Sequence, residues 1–285
     1  MEWSTLLFVA GAAIVYVCAV FRLRARGISW PKARTSSWLA GCLAIGAALI
    51  GPLAERAHHD FIAHMGTHVL LGMLGPLLLV LGAPVTVALR VLPVATARRI
   101  ARGLASPPFA VLTNPFVAGL LNVGGLWILY RTGLFAAMHD DPLVHGLIHI
   151  HVLAAGYLFT FAVIGGPDPA PHRASPPWRV TALVLAIAAH NILAKVIYAE
   201  PPPGVSVEQA HAGAELMYYA GAPVEIALLV LVCRPWLLPR RPVSRRRSSQ
   251  PVVSRADSLD RTRSPARAKR RLSSATSPRN NLRSA

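Results

Sequence analysis

Seven long apolar runs constrain this chain more than any other feature. A helix needs about 20 mostly apolar residues to cross a bilayer. Lipid offers backbone N–H and C=O groups no partner outside the helix itself. The runs fall at 5–21, 37–53, 64–89, 115–130, 143–164, 180–199 and 210–232. The expected fold class is therefore all-α: a polytopic membrane helix bundle of about seven transmembrane helices. The composition agrees, with only 14% charged residues against about 25% in soluble chains. The third run carries Gly75-Pro76 and Gly82-Ala83-Pro84. Proline there removes backbone donors, so a kink or an early end is expected.

Charge in the short connections sets an orientation. Arg22, Arg24, Arg26, Lys32 and Arg34 follow the first run, Arg90, Arg98, Arg99 and Arg102 the third, and Arg173 and Arg179 the fifth. The alternate connections hold Glu55, Asp60, Asp140, Asp141, Glu200 and Glu208. The N-terminus is expected outside and the C-terminus in the cytoplasm. Met1-Glu2-Trp3 lacks the basic start of a signal peptide, so the first run is expected to be a retained helix.

Most of the net charge of +17 sits beyond residue 238, where Ser, Arg and Pro dominate. The expected division is a transmembrane domain at 1–238 and a basic, disordered cytoplasmic tail at 239–285. Its expected contact is with anionic lipid headgroups of the bilayer, on the order of 1 kcal/mol per basic residue near the surface. No nucleic-acid partner is expected, since the tail has no aromatic residue to stack on bases. Cys18, Cys42 and Cys233 share no metal-binding spacing, which argues against a thiolate site or a disulfide framework.

The histidines gather at one depth. All except His172 fall on the expected outer side or within the membrane's outer part or middle. His64 and His68 stand one helical turn apart, as do His145 and His149, so each pair shares a helix face. An intramembrane imidazole is costly without a partner and marks a site by default. His190 lies about 13 Å from the outer end of the sixth run, at 1.5 Å per residue. His211 and Glu215 form a further i, i+4 pair. Imidazole suits copper, zinc and iron, and thioether leans toward Cu(I). With Met65 nearby and few carboxylates, copper fits best and haem iron second. The metal candidates are His64, His68, His145 and His149, followed by His190, His211, Met65 and Glu215; no residue is assigned a catalytic role.

Bland alternatives stand beside these. His151 lies on another face from His149, as suits a histidine bonded to a carbonyl. His58, His59 and His139 suit solvated loops, and Met65 and Met217 suit packing. Lys195 has Glu200 and Glu215 as alternative partners. Glu225, deep in the seventh run, is costly there if ionised without a partner, and is expected either neutral or in contact with Arg or Asn122.

The run His64-Met65-Gly66-Thr67-His68-Val69-Leu70-Leu71-Gly72-Met73, with Gly75-Pro76-Leu77-Leu78-Leu79 and Leu81-Gly82-Ala83-Pro84, resembles the signature of the CtaG-type cytochrome c oxidase assembly factors. Leu143-Val144-His145-Gly146-Leu147-Ile148-His149 with Ala155-Gly156-Tyr157-Leu158-Phe159, and Glu208-Gln209 with Gly213 and Met217-Tyr218, are similar to further motifs of that family. Arg131 departs from the family pattern, since many members have a histidine after the aromatic residue. Tyr218 stands where Trp is frequent.

The resemblance implies an accessory protein rather than an enzyme, in a bacterial cell membrane, maturing a haem-copper oxidase by binding and delivering copper. Oxidase subunits or copper chaperones would be its partners. Three rivals remain: a multi-span copper transport or resistance protein, a b-type haem-binding membrane cytochrome, and a scaffold whose histidines only pack.

Overall fold

In the computed structural model, which describes residues 2–237 apart from Gly165, the chain is built around a helix that Asp60 starts. The Asp60 carboxylate accepts from the backbone N–H groups of Ile62 at 2.8 Å and Ala63 at 3.4 Å. It thereby satisfies two of the orphan donors at a helix N-terminus. Every regular element among the described residues is helical. In chain order they are α1 Glu2–Ala25, α2 Lys32–Leu49, α3 Pro52–Ala57, α4 Phe61–Leu81, α5 Pro84–Val91, α6 Val94–Leu104, α7 Pro107–Leu112, α8 Pro115–Arg131, α9 Leu134–Asp140, α10 Pro142–Ile164, α11 Pro176–Ala199 and α12 Val207–Leu237.

Five of these, α1, α4, α10, α11 and α12, are long and apolar enough to cross a membrane. The pair α8 and α9, bent by 78°, makes a sixth if taken as one span. This is an all-helical membrane protein with five or six candidate spans, where the sequence suggests about seven. The expected run at 37–53 is the one that falls short. Its helix, α2, has 18 residues and opens on Lys32-Ala33-Arg34-Thr35-Ser36, so only its second half is strongly apolar. Gly51 then breaks the run at φ +84, and Pro52 starts α3. The expected basic tail at 239–285 and its lipid contact lie outside the described residues.

Helix α4 is the centre of the bundle. Its membrane-length window is 67% buried, against 17% to 39% for the other four. It packs against α2, α3, α10 and α12, and α12 packs in turn on α11. The expected kink at Pro76 takes a specific form. Proline cannot donate to the carbonyl of Gly72, and its ring would press on that carbonyl. The helix widens into a π-helical segment over Val69–Leu74, a known way to absorb such a mismatch. The Gly72 carbonyl then lies against Gly156 of α10, so close that a Cβ on Gly156 would overlap it. Small residues let two membrane helices meet backbone to backbone, and here they join the two motifs that carry the histidine pairs.

The third run also ends earlier than residue 89. Ala83 adopts the left-handed conformation at φ 55, which breaks the helix before Pro84. Asp168, only 1% exposed, caps α5 beyond the break. It accepts from Val85 N–H at 3.1 Å, Thr86 N–H at 2.6 Å and Thr86 Oγ1 at 2.6 Å. The Tyr16 hydroxyl donates to the Gly82 carbonyl at 2.6 Å and ties α1 to the same break.

Candidate functional site

The two histidine helices begin in the same way. Asp60 caps α4 four residues before His64. Asp141 stands four residues before His145, and its carboxylate accepts from Leu143 N–H at 2.7 Å at the start of α10. The shared pattern is Asp-x-x-x-His-x-x-x-His, legible at 60–68 and 141–149 once the caps are known. Each aspartate fixes where its helix starts, and so places its first histidine one turn in and its second two turns in.

The pairs open onto shared space. His64, His145 and His149 line a cavity of about 510 Å³, together with His58 and Glu55. The His145 ring lies between two others, 4.8 Å from His58 and 4.3 Å from His149 by ring centroids. A second, tighter space of about 20 Å³ lies among His64, His68, His149, Tyr130 and Met138. His149 faces both cavities. Its Nδ1 donates to the His145 carbonyl at 3.0 Å, so that in the neutral ring Nε2 is free as an acceptor or ligand. His64 Nε2 stands 3.0 Å from the Tyr130 hydroxyl. When Nε2–H donates there, His64 Nδ1 carries the free lone pair. Helix α8 thus contributes a phenol, one residue before the position where the resembled family often has a histidine.

A third cavity of about 40 Å³ continues deeper, among His68, Met73, Asn122, Thr160, His190 and Glu225. The rings of His68 and His190 are 6.0 Å apart by centroid. His190 Nδ1 approaches Glu225 Oε1 to 3.0 Å, though off the line of a well-formed hydrogen bond. Asn191 Nδ2 donates to the other carboxylate oxygen at 3.2 Å. The partners of Glu225 are therefore the consecutive residues His190 and Asn191 of α11, with Asn122 lining the same cavity.

The remaining candidates fall elsewhere. Met65 is fully buried in an apolar cluster with Phe61 and Met217. His211 stacks on Tyr198 at 3.9 Å, and Glu215 is exposed. His151 Nε2 donates to the Leu121 carbonyl at 3.1 Å, the carbonyl contact its position suggests. Glu200 pairs with Arg131, while Lys195 sits over the ring of Tyr218 at 5.8 Å. Among the described residues, no group of three or more His, Cys, Asp or Glu is arranged to hold a metal ion. The histidines form a series of pairs along three adjoining cavities rather than a closed cage.

Sequence reading overlooks Tyr130, Thr160, Met73 and the two capping aspartates. The repeated aspartate four residues ahead of each pair is the signal that points to the caps, and Met73 closes the signature run that starts at His64.

Residues 14–238 match the family model described as cytochrome c oxidase caa3 assembly factor. Relatives include uncharacterized proteins of Mycobacterium bovis and Mycobacterium tuberculosis, each 37% identical over 198 residues, which is 66% of this chain and 30% of the relative. An uncharacterized protein of Mycobacterium leprae is 35% identical over 182 residues, 60% of this chain and 28% of the relative. The chain thus spans less than a third of these relatives' length. No solved structure matches it.

Proposed function

The chain belongs to the family of cytochrome c oxidase caa3 assembly factors, and from this premise we propose that it receives copper at the histidine-rich ends of α4 and α10 and delivers it to the oxidase. Copper here is cargo. The observation that carries the reading is the sharing of one cavity by His64, His145 and His149, from two helices started by matched aspartates. His68 joins His64 and His149 in the adjoining space.

The donor set suits the task. Neutral imidazoles bind copper well, and the absence of thiolate from the cavities favours release as well as capture. An open arrangement of pairs lets an ion pass between sites without leaving a closed cage. In this reading the wide cavity faces the outer side of a bacterial cell membrane, an orientation that the loop charges support. The protein acts as an accessory factor, with oxidase subunits or a copper chaperone as partners.

The test is assembly itself. Cells lacking the protein should contain oxidase subunits with haem but little oxidase activity. Wild type should restore activity, and His64→Ala with His68→Ala should not. Normal oxidase in cells carrying that double variant would sink the proposal. A Soret band from the purified protein would favour the membrane-cytochrome rival instead.

A further inference from the structure

The deepest cavity has a feature that packing does not explain. His68 and His190 are 6% and 5% exposed, and the Nε2 of each is buried without a hydrogen-bond partner among the described residues. An unpaired polar atom in such a place costs free energy unless something fills the space beside it. Both rings line the same 40 Å³ cavity, roomier than the 10–15 Å³ or so that one water requires. Two imidazoles bound to a single ion through bonds of about 2 Å would hold their ring centroids about 5–6 Å apart, according to the angle at the ion. The observed separation is 6.0 Å.

A sulfur donor adjoins them. Met73 lines the cavity. Its Sδ is 3.4 Å, and the Cε1 of His190 3.2 Å, from the point where a Cβ on Gly221 would stand. Gly221 leaves that space open, so the thioether and the imidazole approach each other over the α12 backbone. Behind the ring, Glu225 Oε1 stands 3.0 Å from His190 Nδ1, with Asn191 on its other oxygen. A carboxylate on the far nitrogen is how metal-binding histidines are commonly oriented. With its proton on Nδ1 toward Glu225, His190 presents the Nε2 lone pair to the cavity.

We propose that His68, His190 and Met73 form a second, intramembrane station for a soft monovalent metal ion, Cu(I) by its donor chemistry, with Glu225 and Asn191 orienting His190. The station rests on the copper reading above and extends it inward. His68 lines both this cavity and the tight space holding His64 and His149. It is the residue through which an ion would pass from the entry pair to the deep one. No bond is made or broken other than coordination, and the ion keeps its charge.

The test uses the full chain purified in detergent, titrated with Cu(I) as its acetonitrile complex against a coloured Cu(I) chelator. Wild type should take up two equivalents, and X-ray absorption at the copper edge should show a sulfur scatterer. His190→Ala with Met73→Leu should take up one and lose the sulfur. His145→Ala with His149→Ala should also take up one but keep it. Glu225→Gln should retain both equivalents and weaken one by about tenfold or more. Unchanged uptake in the His190 and Met73 variant, or no sulfur scatterer in the unaltered protein, would overturn the inner station and leave the entry site standing. Unchanged uptake in the His145 and His149 variant would instead overturn the entry site alone. The sulfur signal is read on wild type, so a variant that fails to fold does not protect the proposal.

Discussion

The Nε2 of His64, in the first turn of α4, stands 3.0 Å from the hydroxyl of Tyr130, in the last turn of α8. Both residues are almost fully buried, at 5% and 1% exposure. The contact joins the central helix to the bent pair α8 and α9, and fixes which edge of the His64 ring faces the tight space shared with His68 and His149.

Tyr130→Phe removes that contact while keeping the ring. A net hydrogen bond contributes about 0.5–1.5 kcal/mol, and leaving a buried partner unsatisfied adds to the loss. The expected outcome is a destabilisation of about 1–2 kcal/mol, read as a lower melting temperature in detergent. Copper uptake should persist, since no imidazole is lost.

The paired caps predict a paired effect. Asp60→Ala and Asp141→Ala should each cost about 1 kcal/mol, and Asp60→Asn and Asp141→Asn much less. Hydrogen exchange at the amides of Ile62 and Ala63, or of Leu143, should rise in the matching Ala variant only. Equal protection in Asp60→Ala and wild type would show that the cap does not fix the start of α4.

Gly156→Ala sets a methyl group against the Gly72 carbonyl. That neighbour is backbone and cannot rotate away, so α4 and α10 must separate. Overpacking of this kind costs about 1–3 kcal/mol. Gly146→Ala on the same helix meets nothing within 4 Å and should be nearly neutral. A melting comparison of the two variants checks this.

Asp168 should be sensitive in a different place. Its carboxylate holds Val85 N–H, Thr86 N–H and Thr86 Oγ1 next to the left-handed Ala83. Asp168→Ala leaves those donors unpaired and is expected to cost about 2–4 kcal/mol. Copper uptake per folded molecule should not change, because the residue lies outside all three cavities.

Helical periodicity makes part of the site legible in the amino-acid sequence alone. The i, i+4 spacing puts His64 with His68 and His145 with His149 on single faces, because it fixes which residues of one helix align. The apolar runs locate the helices, and the signature residues point to the family that the match over 14–238 shows. Pairings between helices are not legible. Whether Glu225 meets Asn122 or His190, or Tyr130 meets His64, depends on how each helix is rotated about its axis, and one sequence leaves that open. The prolines announce the break at Ala83 and a kink before Pro76, but not that the kink takes the form of a π-helical segment. Met65 stands between two histidines, yet helical geometry turns it toward Phe61 and Met217, the packing that its alternative reading describes.

The most direct measurement is the copper content of the full chain purified from copper-replete cells, beside a variant with His64, His68, His145 and His149 all changed to Ala. Copper in the wild-type protein, with the variant losing that copper and failing to restore oxidase activity, is the predicted result. Wild-type protein without copper, or a variant that matches it in copper and in oxidase activity, would contradict the account.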